Sequence, residues 1–451
     1  MTSRFTPQFV KIATIGVFIV FVLFIFPVSR AHPWSDDWTY PGIYGASWKE
    51  FLQWVVAQHV DHRIPLIKLV QYALLKLSKF DFRVLLLFNA AMATAGALAL
   101  AGAARLHRGS AHWGDLVIPL TVLNFGFGLY LWAFSAQFSL CIALSFLFLY
   151  SFIKSQAADS KPFLIAAMVA LWACALCGMN GTIVATVIAA ALLVFGLRQK
   201  AWKTQPVMVV GPALVLAMNA LVFLTWQPSG TTLAAQQTDL ATRMLSWARH
   251  LVESSFILDN WLQGYWRPIL CALLFGAALV RAVVYLAPAL RRGNADMAKV
   301  AIYATLLAYV MLFVSIVLGR SRSSEWSPGL EMHYGYLVVA LVPLSWIIVT
   351  ESGKKSLARW ALAAVLLVAY GHAFRWGAIY RFHDVRDNNV PYTNATLAIG
   401  SQEAPEALAK RKITSYFFVD TPDTRDTVAQ GIAKLRRVGG PLYKAQPAES
   451  N

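Results

Sequence analysis

The sequence predicts a polytopic, all-α membrane protein, and three observations carry that prediction. The chain of 451 residues is 58% hydrophobic, and only 14% of its residues are charged, whereas a soluble domain has about 25%. Its apolar residues form long runs of the length that a helix needs to cross a bilayer core. The charged residues collect in short clusters between those runs. We therefore expect about eleven transmembrane helices.

The candidate spans follow one another along most of the chain. They cover residues 12–28, 83–104, 115–131, 137–153, 162–178, 181–197, 206–225, 267–288, 299–319, 333–350 and 358–376. If the N-terminus is cytoplasmic, every short cytoplasmic connection is rich in Lys and Arg, as is usual on that side of a membrane. This orientation places the long connections 29–82, 226–266 and 320–332 on the outer face, together with the C-terminal tail.

The first apolar run has features of a signal peptide, since basic residues precede it and small residues follow it. Its length, and the ten runs that follow, favour an uncleaved first span. The formal charge of +17 is explained by cytoplasmic Lys and Arg facing anionic lipid. No basic and aromatic motif typical of nucleic-acid binding is present, so we predict no nucleic-acid partner.

The first outer loop, residues 29–82, contains two predicted interfacial helices. The stretch "SWKEFLQWVVAQHV" starts with Ser47 and Glu50 in the spacing of a capping box, and its apolar residues recur along one stripe. It is too short and too polar to cross a membrane, so we expect it to lie in the interface. The stretch "IPLIKLVQYALLKLSKF" is similar, and we expect its lysines to reach lipid phosphates: Lys68, Lys76 and Lys79.

The tail, residues 378–451, is soluble in composition and is the second predicted domain, after a membrane domain at 1–377. "KITSYFFVD", residues 412–420, has the alternation of a strand. "DTVAQGIAKLRRVGG", residues 426–440, is typical of a helix that ends at glycine. Together they predict a small αβ tail.

Two adjacent carboxylates, Asp36 and Asp37, stand directly after the first span in "HPWSDDWTYPG". An acidic pair usually caps or solvates a loop, but this pair lies between tryptophans in a loop that folds against the membrane. The same loop carries "QHVDHRIPL" with His59, His62 and Arg63. A desolvated Asp can accept a proton from a hydroxyl, and Arg binds phosphate oxygens. This combination is typical of chemistry on a membrane-bound phosphate ester.

A second polar cluster lies in "GRSRSSEWSPGLEMHYGY", residues 319–336, in a later outer connection. Its members are Arg320, Arg322, Glu331, His333 and Tyr334. Arginines at helix ends also extend to lipid headgroups as a matter of course. Both clusters fall on the outer side of the predicted topology, so they could form one site.

Metal binding and ion-coupled transport are the less favoured functions. His59 and His62 have the i, i+3 spacing of metal ligands and could join Asp36 or Asp37, but a third ligand is not defined. We therefore predict no cofactor and do not favour a divalent metal. No predicted span has Asp or Glu well inside its apolar core, where coupled transporters usually place one.

The "SDDW" stretch after the first span, the large first outer loop with "HVDHRIPL", and the eleven-span pattern resemble the GT-C superfamily of integral-membrane glycosyltransferases. The resemblance is to the bacterial members that use polyprenyl-phosphate sugars, and it covers roughly residues 10–376. It implies transfer of a hexose, with inversion, from a polyprenyl-phosphate donor to a glycan or lipid-linked acceptor. It also implies a bacterial inner membrane with the active site facing the periplasm.

The resemblance implies roles for particular residues. Asp37 or Asp36 would be the general base, with Asp37 preferred. Arg63, and Arg320 or Arg322, would hold the donor phosphate.

The remaining polar residues of both clusters would orient the base or the acceptor: His62, His59, Glu331, His333 and Tyr334. A second acidic motif of the metal-binding type is absent from the later outer connections, which favours catalysis without a metal. The alternative functions are a lipid-linked oligosaccharide flippase and an O-antigen-type polymerase, which would share the spans and the outer arginines.

Overall fold

The structure, a computed structural model, describes most of the chain. The described residues are 5–59, 62–126, 132–227, 239–255, 266–323, 332–351, 357–387, 390, 393, 404–416 and 421–438. Within them the regular structure is helical, and extended backbone pairs in a single isolated bridge between His59 and His62. The predicted all-α class is confirmed for this part of the chain.

Eighteen α-helices carry the labels used below. They are α1 Phe5–Val20, α2 Thr39–Gly42, α3 Trp48–Val56, α4 Pro65–Leu77, α5 Arg83–Arg108, α6 Val117–Val122, α7 Ala136–Ala158, α8 Lys161–Ala175, α9 Met179–Arg198, α10 Val207–Leu224, α11 Leu240–Ser254, α12 Trp266–Arg292, α13 Met297–Ser323, α14 Met332–Val339, α15 Leu341–Val349, α16 Leu357–Asp387, α17 Pro405–Tyr416 and α18 Pro422–Val438. A π turn and a 3₁₀ turn extend α1 to Val28.

Eight helices in the described part are long and apolar enough to cross a membrane. They are Pro7–Val28, Arg83–Arg108, Ala133–Ala158, Met179–Arg198, Val207–Leu224, Ala272–Arg292, Met297–Ser321 and Leu357–Asp387. Each coincides with a predicted span. The other three predicted spans coincide with shorter apolar helices, Trp113–Val122, Lys161–Ala175 and Tyr334–Val349. The chain is therefore a polytopic membrane protein, and eight of the eleven predicted spans meet the length that spanning requires.

In the predicted span at 115–131, a short helix is followed by irregular backbone at 123–126, and residues 127–131 lie outside the described residues. Helix α6 ends at Val122, and the Asn124 side chain accepts a hydrogen bond from the Gly126 backbone at 3.0 Å. Helix α16 approaches this break so closely that a Cβ on Gly377 would lie 2.1 Å from Asn124 Oδ1. Backbone of this kind is tolerated within a membrane domain where protein surrounds it, as it does here. The break cannot be predicted from hydrophobic periodicity, because the sequence stays apolar through it.

The two amphipathic helices of the first outer loop are present. Ser47 and Glu50 form the predicted capping box: the Ser47 N–H donates to Glu50 Oε2 at 2.8 Å, and the Glu50 N–H donates to Ser47 Oγ at 3.3 Å. On α3, Trp48, Leu52 and Val56 form an exposed apolar stripe. A helix with one such face suits a membrane interface.

Lys68 corrects the prediction that the lysines of α4 reach lipid phosphates. Its side chain is buried, and its ammonium donates to the carbonyl oxygens of Trp54 at 2.6 Å and Ala57 at 2.9 Å, at the end of α3. The last carbonyls of a helix lack partners within the helix, so a cation from α4 satisfies them. Burial lowers the pKa of Lys68 to about 8. Lys68 thereby fastens the two amphipathic helices together.

The C-terminal tail is helical where the structure describes it. The strand predicted at 412–420 is wrong at 412–416, which belong to α17; residues 417–420 lie outside the described residues. The predicted helix is confirmed as α18, which ends at Val438 just before two glycines. Helices α17 and α18 pack against each other, and α18 also contacts α2 of the first outer loop.

Candidate active site

The acidic pair lies in a four-residue 3₁₀ helix, Ser35–Trp38. The turn starts at Ser35, whose φ of 56° is in the left-handed region that non-glycine residues rarely adopt. It is closed by the Asp37 N–H, which donates to the Trp34 carbonyl at 3.2 Å, and by the Thr39 hydroxyl, which donates to the Asp36 carbonyl at 2.9 Å. An uncommon conformation of this kind persists only where the surroundings hold it.

Asp37 points into the protein and is only 2% exposed. Its Oδ2 accepts the Trp34 N–H at 3.3 Å, and among the described residues its Oδ1 accepts no hydrogen bond. Burial, with a smaller contribution from the charge of Asp36, raises the pKa of Asp37 well above its usual range. The backbone amides of Trp34, Phe134 and Ala133 oppose that rise.

The amides of Ala133 and Phe134 are available to Asp37 because a helix begins there. A 3₁₀ turn, Ala133–Ser135, opens the span Ala133–Ala158, and the first N–H groups of a helix have no partner within it. They are also the positive end of the helix dipole. The break after α6 is what leaves this helix start inside the protein, beside the acidic turn.

Asp36 is the accessible member of the pair. Its side chain is 34% exposed, and its Oδ2 lies 4.0 Å from Nε2 of His59. The imidazole of His59 packs against the ring of Phe134, with 4.7 Å between the ring centroids. Among the described residues, Nε2 of His59 has no hydrogen-bond partner. Asp36 therefore places a partly exposed carboxylate beside the imidazole of His59, whose Nε2 is buried, and one residue away from a buried carboxyl.

The "HVDHR" stretch holds His59 in place and ties Arg63 to another helix. The His59 N–H donates to the His62 carbonyl at 2.7 Å, and the His62 N–H donates back to the His59 carbonyl at 3.0 Å. Arg63 donates to the hydroxyl and to the carbonyl of Thr225, both at 2.8 Å, just beyond the end of α10. Arg63 therefore lies in the same loop as the acidic turn, but two of its N–H donors fasten that loop to Thr225.

A buried cluster that the sequence analysis missed lies behind the turn. Asp384 of α16 pairs with Arg30 at 2.9 Å and with Arg381, which also donates to the Ser29 hydroxyl at 3.1 Å. The Arg30 guanidinium stands over the ring of Trp34, 4.8 Å from its centroid. These residues join the first outer loop to the last long helix, and their only sequence signal is charge at the ends of two apolar runs.

The second predicted cluster is described in part. Arg320 lies over the ring of Tyr334, 4.9 Å from its centroid. Tyr334 also packs on Phe138, whereas the first cluster packs on Phe134, one helical turn earlier along the same span. His59 of the first cluster and Tyr334 of the second therefore pack on residues four apart near the start of α7. Glu331 and the side chains of Arg322 and His333 lie outside the described residues.

The described residues contain no group of three or more His, Cys, Asp or Glu arranged to hold a metal. His59 and His62 have ring centroids 6.1 Å apart, and Asp36 Oδ2 lies 4.0 Å from His59 Nε2.

A second buried aspartate, Asp115, lies beside the C-terminal end of α5. Both oxygens of Asp115 accept from Arg108 at 2.6 Å, and Oδ1 also accepts the indole N–H of Trp346 at 2.9 Å. Arg108 further donates to the Thr350 hydroxyl at 2.9 Å. Charge pairing and hydrogen bonding satisfy this carboxylate fully, which is the usual arrangement for a structural ion pair.

Glu351 forms a related cluster beside it. It accepts from Tyr303 at 2.7 Å and from Lys299 at 3.3 Å, and His107 lies 3.6 Å away. Burial favours a higher pKa for Glu351, but these partners outweigh it and lower the pKa to about 2. Arg281 donates to the carbonyls of Ile348 and Val349 at the end of α15.

No protein-family model matches this chain, and no curated protein is similar to it.

Proposed function

We propose that this protein is a membrane glycosyltransferase of the GT-C type. It moves a hexose from a polyprenyl-phosphate donor to a glycan or lipid-linked acceptor, on the outer face of a bacterial inner membrane. The observation that carries the proposal is the partly exposed carboxylate of Asp36, which lies 4.0 Å from the imidazole of His59 and directly precedes the buried Asp37. Asp36 lies between the end of the first span and the amphipathic helix α3, and His59 lies between α3 and α4, where a lipid-linked substrate would present its phosphate and sugar.

We assign the general base to Asp36, which reverses the preference that the sequence favoured. A base must come within about 3 Å of the proton that it takes, and the 34% exposure of Asp36 allows an acceptor hydroxyl to approach. Asp37 is 2% exposed, and its Oδ2 accepts the Trp34 N–H of its own turn. Its role in the proposal is to hold the turn.

The reaction follows from that assignment. Asp36 takes the proton of the acceptor hydroxyl as its oxygen attacks the anomeric carbon from the side opposite the phosphate. The bond between that carbon and the phosphate oxygen breaks, and its electron pair leaves with the polyprenyl phosphate. The configuration at the anomeric carbon is inverted. His59, 4.0 Å from Asp36, orients the carboxylate after a small rotation.

The arginines divide into two groups. Arg63 fastens the loop to Thr225, so we no longer assign the donor phosphate to it. Arg320 and Arg322 keep that assignment, since Tyr334 holds the Arg320 guanidinium at the end of α7 that carries the acidic turn. Guanidinium groups stabilise the charge that develops on a leaving phosphate.

The test is turnover by the purified protein in nanodiscs. The substrates are polyprenyl-phosphate hexoses with a radiolabelled sugar and a lipid extract of the bacterial envelope, with heat-denatured protein as the control. We expect labelled sugar in a new product whose anomeric configuration, read by NMR, is opposite to that of the donor. Movement of intact donor across a liposome bilayer, with no cleavage, would instead support a flippase.

A further inference from the structure

The C-terminal helix α18 lies against the acidic turn, although nearly 400 residues separate them in the sequence. Trp38, which directly follows Asp37, is 3% exposed and packs on Gly431 of α18. A Cβ on Gly431 would lie 2.4 Å from Cε3 and 2.7 Å from Cζ3 of the Trp38 indole. Real Cβ atoms do not come this close to other atoms, so the indole and any side chain larger than hydrogen cannot both keep these positions.

A second contact lies one helical turn further along α18. The Lys434 ammonium donates at 2.6 Å to the carbonyl of Gly42, at the end of α2. Residues three apart share one face of a helix, so Gly431 and Lys434 contact the two ends of the segment 38–42 from the same side. The same side of α18 also buries Val428, Ile432 and Leu435.

The acidic turn needs such support. It has four residues and a strained start at Ser35. The 3₁₀ turn Ala133–Ser135 and helix α18 both contact it, and α18 does so through Trp38.

We propose that α18 positions the acidic turn, and that Gly431 is a positioning residue that acts through Trp38. The catalytic consequence rests on the proposed function, whereas the docking of α18 does not. Glycine is a weaker helix former than alanine, so its presence in the middle of α18 is disfavoured locally and is explained by the contact with Trp38. Gly431→Ala therefore strengthens the helix and displaces the turn.

The docking is tested without any assay of activity. Gly42→Cys and Lys434→Cys are introduced together in a variant whose native cysteines are replaced, and a short bismaleimide is added. No atom lies within 4 Å of a Cβ at Gly42, so the new thiol fits. We expect rapid cross-linking, and about tenfold slower cross-linking when Gly431→Leu is added, because a displacement of about 1 Å has effects of this size on reactions between positioned groups. Equal rates with and without Gly431→Leu would overturn the docking.

The kinetic arm uses Gly431→Ala beside Gly276→Ala, a helical glycine with open space around its Cβ. We expect Gly431→Ala to lower kcat by about tenfold to a hundredfold with little change in the donor KM, since misplacement of a base costs rate and not binding. Gly276→Ala keeps the wild-type kcat.

Trp38→Phe, added to Gly431→Ala, removes the clashing ring and restores part of kcat. A loss of fold would not be rescued in this way. An unchanged kcat in Gly431→Ala, or a loss that Trp38→Phe does not restore, would overturn the positioning role. If wild type transfers no sugar while the cross-linking behaves as expected, the proposed function fails and the docking stands.

Discussion

Asp37 and Asp115 occupy the same position in two copies of one local structure. Each is the third residue of a four-residue 3₁₀ helix, Ser35–Trp38 or Trp113–Leu116. In both, Oδ2 of the aspartate accepts the backbone N–H of the residue before the turn, at 3.3 Å for Asp37 and 2.8 Å for Asp115. Both carboxyl groups are buried.

Their other partners differ. Asp115 is clamped by Arg108 and Trp346. Asp37 meets backbone amides at a helix start and has one oxygen without a hydrogen bond among the described residues. The difference teaches that the turn alone decides nothing about function. A buried carboxylate with a full set of partners stabilises the fold, whereas one with incomplete partners marks a candidate functional site.

The largest effect on stability is expected at the clamped aspartate. Asp115→Ala leaves Arg108 buried without its carboxylate, and breaking such a pair costs about 3–5 kcal/mol. The free energy of unfolding in detergent measures this cost. The matched control is the double variant Arg108→Met with Asp115→Leu, which removes both charges and loses less. A single-variant loss as small as that of the double variant would show that Asp115 is not clamped.

The second-largest effect on stability is expected at Glu351. Glu351→Gln keeps the shape but loses the charge that Lys299 and Tyr303 bind, at a cost of about 1–3 kcal/mol near neutral pH. The pKa of Glu351 is lowered to about 2 in the folded protein, so its stabilising contribution is present above the unfolded-state pKa and is lost as pH falls toward 2.

Unfolding of wild type and Glu351→Gln, followed from pH 7 to the acid limit of the fold, checks this dependence. The two curves should converge as pH falls. A constant difference between them would contradict the assignment of the pKa.

Asp37 is expected to show the smallest effect on stability, with the opposite sign. Its folded-state pKa is raised, so its stabilising contribution is complete below the unfolded pKa of about 3.9 and is lost as pH rises through the folded pKa. Asp37→Asn removes this loss. We expect the variant to match wild type in acid and to be more stable by about 1 kcal/mol at neutral pH, the usual scale for relief of one buried charge.

The measurement is the difference in unfolding free energy between the two proteins across that pH range. A destabilised Asp37→Asn at neutral pH would mean that Asp37 has a charged partner, as Asp115 does.

The sequence predicted the parts of this protein that depend on local pattern. Apolar runs located the eight long helices, and Ser47 with Glu50 located the start of α3, because periodicity and capping act over a few residues. The acidic pair was found from its place after the first span.

What the sequence could not predict depends on contacts between distant residues. Arg30 meets Asp384, and Trp38 meets Gly431, only after the whole chain has folded. Lys68 had the sequence pattern of a lysine that faces lipid, yet its ammonium donates to a carbonyl at the end of α3. The predicted strand at 412–416 has strong β propensity, but packing of α17 against α18 overrides such local preference.

The most direct test of the account compares the initial rates of sugar transfer by wild type, Asp36→Asn and Asp37→Asn, each shown to be folded and to bind donor. Loss of a general base costs about a hundredfold to ten-thousandfold, so we predict a loss of that size in Asp36→Asn. Asp37→Asn should stay within about tenfold of wild type, since an amide fills the same buried space. A wild-type rate in Asp36→Asn, or a full loss in Asp37→Asn alone, would contradict the division of roles between the accessible and the buried carboxyl.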